Sequence, residues 1–301
     1  MRHTGRVSTT SVLQAKTSAG KTSARAMPPP PVSQQETLTD LLKQAHREAV
    51  PIRTTFVQQG RGKATRPGPL ASFIASHDER GLDAYLFVHA LASGQPWNCE
   101  YPSGMWIRAL GLSDTATMRS ARAVVSKIMR RLEDRKLIRR TRSGRLSAVT
   151  LLREDGSGHK YERPVTDGDN WFNLPHEYWL EQHYRTLSLP AKAMLLVALS
   201  LPADFYLPYE KAQPWYGISA DSAGRGLREL EKADLLVSLP EWVKNHRSDT
   251  GWIEQRHYML LGPYAKTPRK RRPAKDKARP APDGDATAHE PPTATARAGG
   301  A

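Results

Sequence analysis

The chain has one cysteine in 301 residues, Cys99. That excludes an internal disulfide framework and any zinc site built on cysteines, and it fits a reducing compartment. No run approaches the ~18 consecutive apolar residues of a membrane-spanning helix. The N-terminal stretch "TTSVLQAKTSA" has no apolar core of the kind a secretory signal carries. Its Ser/Thr-rich, acid-poor composition is shared with organelle transit peptides; the simpler expectation is a cytoplasmic protein. Apolar residues make up only 39%, which is low for one compact fold and predicts that part of the chain lies outside any core. Acids are scarce as well, 30 against 45 bases, and the formal net charge of +15 points to a polyanionic partner.

Catalytic and metal motifs are equally lacking. "SAGKTS" (18–23) holds the Gly-Lys-Thr of a phosphate loop, but the earlier glycine that loop needs falls on Ala15, and no strand precedes it. "HEYWLEQH" (176–183) resembles a zinc helix at a glance, yet the position four after His176 is Leu180. It reads instead as a structural helix with Tyr178 and Trp179 in the core. No Ser/His/Asp set stands out. The expectation is a protein that is not an enzyme, with no cofactor, no metal site and no membrane partner.

What is present has a clear order. Residues 1–36 read as a disordered tail that ends in the Pro-rich "MPPPPVSQQE". Residues 37–78 read as a short helix, using Leu38, Leu41, Leu42 and Ala45, followed by the loop "QQGRGKATRPGPL". Residues 79–152 then run helix, helix, helix, hairpin. Leu82, Tyr85, Leu86 and His89 form one stripe, Pro102 starts a short helix that ends at Gly111, Ser113 or Asp114 caps a long third helix, and the hairpin turns at Ser143-Gly144. The stretch 153–170 is a polar, Gly-rich linker. Residues 171–264 repeat the order. Ser188 caps an apolar helix, Pro214 distorts or cuts a short one closed by Gly217, Ser219 caps the next, and "LLVSL" and "QRHYMLL" are strands joined by the long loop "PEWVKNHRSDTGWIE". Residues 265–301 form a second tail, basic and then Pro/Ala-rich. The expected fold class is mainly α with small β-hairpins.

Two signatures mark the repeat, "GLS…RRLEDRKLIRR" and "GIS…RELEKADLLVS". In each, a Gly-apolar-Ser turn precedes a helix that ends in Leu-acid-x-x-x-Leu-apolar, from Leu132 to Ile138 and from Leu230 to Leu236. The first copy is eight residues longer between the turn and that leucine, so either its helix or its turn is longer. The pattern resembles a winged helix-turn-helix. Two in tandem resemble the plasmid replication initiators of bacteria and some transcription regulators of mobile elements. The resemblance implies two winged-helix domains flanked by disordered tails, in a bacterial, nucleoid-associated protein that binds double-stranded DNA.

The charge of the first copy suits that role. Residues 118–145 carry eleven bases against two acids, whereas residues 171–264 carry nine bases and eleven acids. On the first third helix, Met118, Ala121, Val125, Ile128 and Leu132 share one side, with Arg119, Ala123, Ser126, Lys127 and Arg130 opposite. Arginine reads guanine edges or holds phosphates, and Ser and Thr do either less selectively. The expected DNA contacts are Thr117, Arg119, Arg122, Ser126, Lys127 and Arg130 on the helix. Arg139, Arg140, Arg142 and Arg145 follow on the hairpin, where arginine suits the backbone or the minor groove. The second helix buries Ala223, Leu227 and Leu230 and presents Asp221, Arg225, Arg228, Glu229 and Lys232. Ser222, Arg225, Arg228 and Lys232 are its expected contacts, and a homodimer interface is the competing use of this copy. Gly224 and Gly226, at roughly 1 kcal/mol each relative to Ala, point to a close backbone approach. The C-terminal "KTPRKRRPAKDKARP" reads as an electrostatic arm. The leading expectation is a sequence-specific DNA-binding transcription regulator. The alternatives are a plasmid-type initiator on origin repeats and a protein-interaction module in a nucleoprotein assembly.

Overall fold

The computed structural model describes residues 30–60, 62–113, 117–143, 146–164 and 170–266. Most of the expected N-terminal tail, Asp114, the Gly144 turn with Arg145, and the basic C-terminal arm lie outside them. The described residues are mixed α/β, 46% helix and 23% strand, rather than mainly α, because the strands extend well beyond two short hairpins.

The described chain opens on α1 (Gln34–Gln44), the expected short helix, which buries Leu38, Leu41 and Leu42 and starts three residues earlier, within the expected tail. Ser33 accepts from the Glu36 N–H while the Glu36 carboxylate accepts from the Ser33 N–H, a capping box that starts the helix. The rest of the stretch expected as short helix and loop, residues 37–78, holds β1 (Ala49–Arg53), β2 (Gln58–Gln59) and β3 (Arg66–Pro67), the last two within the quoted loop, and then α2 (Leu70–Ala75). Next come α3 (Glu79–Leu91), β4 (Asn98–Tyr101), α4 (Ser103–Ala109), α5 (Met118–Asp134), β5 (Ile138–Ser143) and β6 (Leu146–Leu151). After β7 (Trp171–Pro175), α6 (Glu177–Leu180) and α7 (His183–Thr186), the same order returns: α8 (Leu189–Ser200), β8 (Asp204–Tyr206), α9 (Tyr209–Tyr216), α10 (Ala220–Lys232), β9 (Leu236–Lys244) and β10 (Trp252–Leu260).

The two runs share a topology as well as an order. Each has a helix, a strand, two helices and a hairpin, and in each the strand joins the hairpin through its last member, giving antiparallel sheets β4-β6-β5 and β8-β10-β9. The third helix ends alike in both. Lys136 and Asp234 take left-handed backbone at φ 57° and 55°, and the next amide reaches back to the helix-end leucine carbonyl, Leu137 to Leu132 and Leu235 to Leu230. The eight-residue difference is split between turn and helix. α5 has 17 residues against 13 in α10, and its N-cap is Thr117 rather than Ser113, which makes the turn four residues longer than the one leading to Ser219. Pro214 does not cut α9, which runs to its cap at Gly217, φ 70°.

Both runs share one core. Helices α3 and α8 are buried nearly all round, the pattern of central helices. They meet at Lys192, which is 1% exposed and bonds Glu79 at 2.7 Å and Asp83 at 2.8 Å, while Tyr178 donates to Asp83. Burial pushes the Asp83 carboxyl up to about 6 even with the Lys192 charge beside it. Strand β1 pairs antiparallel with β7, Val50 opposite Leu174, so the segment before the first run closes on the segment before the second. The expected linker contributes as well: Glu154 is buried and bonds Arg53 at 2.8 Å, with Tyr161 packed beneath the guanidinium.

Candidate nucleic-acid interface

Helix α5 is strongly two-sided. Ala121, Val125, Ile128, Met129 and Leu132 are buried, and Thr117 caps the first turn by accepting from the Ser120 N–H. Its C-terminal half is fastened by ion pairs. Arg131 bonds the Asp78 carboxylate through two nitrogens at 2.6 and 2.8 Å, and Arg135 adds a contact at 2.8 Å while lying over the Phe73 ring. Asp78 is also the N-cap of α3. Burial pushes its carboxyl up, but the two guanidinium groups outweigh that and hold it below the usual aspartate range. Two of the eleven bases in this stretch are therefore structural.

The opposite side of α5 is free. Arg119, Arg122, Ser126 and Arg130 recur at spacings of three and four and are exposed, with Lys127 exposed beside them. Arg119, Arg122 and Lys127 make no hydrogen bond or ion pair among the described residues. Met118, expected in the core, is instead 57% exposed at the first turn, next to this row. Met118 is the first residue of α5, so it stands a turn short of the buried stripe that begins at Ala121.

The hairpin is less uniformly available. Arg139 is exposed on β5. Arg140 bonds Glu133 on α5 at 2.7 Å and is half-committed to that pair. Arg142 stands opposite Ser147 in the ladder; its side chain, like all of Arg145, lies outside the described residues. Cys99 on β4 is buried, and burial pushes its thiol up to about 12.

On α10, Arg228 and Lys232 are exposed. Arg225 pairs with Asp221 at 3.1 Å and also bonds Ser222, which is half-buried in the capping turn. Glu229, expected on the outer face, turns inward: it accepts from the Ser188 N–H at 2.7 Å and from its hydroxyl at 2.5 Å. The two glycines differ. A Cβ on Gly226 would lie 2.5 Å from the Pro190 carbonyl oxygen, so the close neighbour is the protein's own α8. A Cβ on Gly224 would meet only the Arg228 guanidinium, at 3.2 Å, and the edge of Tyr209.

No family model matches the chain, and neither does any curated protein or solved structure. Among the described residues no group of His, Cys, Asp and Glu could hold a metal ion, and no helix is long and apolar enough to cross a membrane.

The second hairpin departs most from expectation. Its strands are not two short pieces around a long loop, because the ladder continues to Lys244 opposite Trp252 and leaves only residues 245–251 as the connection. Beyond the core it exposes Leu239, Trp242 and Trp252 at 48%, 64% and 44%.

Proposed function

We propose that each run is a winged helix-turn-helix and that the chain is a site-specific double-stranded DNA-binding protein of the transcription-regulator type. The first run, residues 79–152, makes the main contact. Helix α5 enters the major groove with Arg119, Arg122, Ser126 and Arg130 toward base edges and phosphates, and Thr117 and Met118 lead it in. Arg139 and the rest of the hairpin lie along the backbone. The observation that supports this most is the exposed row on α5 with no acid in it, on a helix whose other side is pinned by buried leucine-type packing and the Arg131–Asp78 pair.

In this reading the second run adds a weaker DNA contact through Arg228 and Lys232, since Arg225 is already shared with Asp221. The test is fluorescence anisotropy of the full chain with duplex DNA across a salt series, comparing wild type with Arg119→Ala/Arg122→Ala/Arg130→Ala. The expected result is an affinity loss of about 100-fold or more and a salt slope shallower by roughly 3, at about 0.9 per phosphate contact, with an unchanged melting temperature. Equal affinity of the two proteins would sink the reading.

A further inference from the structure

The β9-β10 hairpin is long for its support. Its lower half packs on the core through Leu236, Tyr258 and Leu260, while the half beyond Leu239 stands clear of it. Cross-strand partners share a face, so the register sorts this upper half. Pro240 stands opposite Arg256, Trp242 opposite Glu254, and Lys244 opposite Trp252. One face therefore carries two tryptophans on a diagonal, flanked by two bases and one acid, and the Lys244 ammonium lies 5.5 Å from the Trp252 ring centre.

Charge argues against a polyanion here. From Leu236 to Leu260 the hairpin has three bases, Lys244, Arg247 and Arg256, and three acids, Glu241, Asp249 and Glu254. Glu254 would face any phosphate that approached the tryptophans. The same mixture is complementary to itself, because a two-fold contact needs one patch that satisfies its own copy. Glu254 lies 3.8 Å from Arg256 of its own strand, an exposed pair that is readily exchanged, so Lys244 and Arg256 can each meet the Glu254 of another chain, and tryptophan and arginine are the residues that carry most of the binding energy at such contacts. Pro240 has no N–H to offer, so β9 cannot add a partner strand continuously along its outer edge. That leaves a contact face to face.

We propose that this hairpin face is the docking surface for a second copy of the chain, with Trp242 and Trp252 at its centre and Glu254 paired across to Lys244 or Arg256. The inference concerns the second run alone and does not rest on DNA binding, so its test contains no DNA. Sedimentation velocity on the full chain, up to about 100 μM, is expected to show a dimer of the 33.6 kDa chain. Trp242→Ala/Trp252→Ala and, separately, Glu254→Lys are each expected to weaken it at least tenfold. Glu254→Lys combined with Lys244→Glu restores opposite signs within the face and is expected to recover dimer. Should the tryptophan variant fold poorly by circular dichroism, the charge variants decide. A wild-type chain that stays monomeric throughout, or a Glu254→Lys chain that dimerises as well as wild type, overturns the proposal.

Discussion

Arg131 on α5 binds Asp78, the residue that caps α3, through two hydrogen bonds of 2.6 and 2.8 Å. The second run makes the same connection with the charge reversed. Glu229, which like Arg131 immediately precedes the helix-end leucine, accepts from the backbone and hydroxyl of Ser188, the cap of α8. In both runs one position on the third helix ties down the start of the first. The exposed face of the third helix is thereby oriented by a polar bond as well as by the buried stripe.

The two bonds predict a separation of roles among the arginines. Arg131→Gln breaks the paired contact that planar guanidinium geometry makes possible. Asp78→Ala removes both that contact and a helix cap, and is expected to cost about 3 kcal/mol. Glu229→Ala is expected to cost about 2 kcal/mol, the value of hydrogen bonds to a charged group. Chemical denaturation checks all three. Arg119→Ala, by contrast, is expected to leave stability within about 0.5 kcal/mol of wild type.

The glycines of α10 predict opposite signs. Gly226→Ala drives a methyl into the backbone of α8, 2.5 Å from the Pro190 oxygen, and is expected to destabilise by about 2 kcal/mol. Gly224→Ala meets only a guanidinium that can swing away, and is expected to stabilise by up to about 1 kcal/mol through helix propensity. Thermal melts of the two variants side by side settle it.

Acid is expected to unfold the chain earlier than its carboxylates alone would dictate. Burial, reinforced by Arg47 and Arg53, pushes His89 down to about 3, and burial with Arg47 pushes His176 down to about 4. A histidine lowered in the folded state withholds a proton that the unfolded chain takes up, so stability is lost as pH falls from about 6.5 toward those values. Asp83 acts the other way. Raised to about 6, it takes its proton first in the folded state and offsets part of the loss between pH 6 and the ordinary aspartate range. Asp78, held low, adds its loss only below that range. His89→Gln is expected to flatten the dependence of unfolding free energy on pH, over the window from about 6 to about 4, by roughly 1.4 kcal/mol per pH unit. An unchanged slope in urea titrations across that window would rule out a neutral buried His89.

Local features were legible in the sequence. Ser188 and Ser219 cap the helices they precede, and the two Leu-acid-x-x-x-Leu stretches form the same helix end. Features set by distant partners were not. Strand β4, "NCEY", has no alternation to betray it and is a strand because β6 pairs with it. Arg131 and Arg135 looked like part of a solvent-facing cluster, since nothing local names Asp78 as their partner. Glu154 sits in a polar, Gly-rich stretch, which reads as linker until Arg53 is placed against it. The upper half of the β9-β10 hairpin contains Pro240 and mixed charges, which hide its pairing register.

The pairing of β1 with β7 has a consequence for the order of assembly. Arg53 leaves the ribosome roughly 120 residues ahead of Trp171, its partner in the ladder, a delay of about 6 to 24 s at about 5 to 20 residues per second. Helices α3, α4 and α5 can gather in that interval, but β1 and the residues around it wait for the second run to be synthesised. A chain cut between the two runs would strand β1 with an open edge. Translation must therefore pass the midpoint of the molecule before its beginning can finish folding.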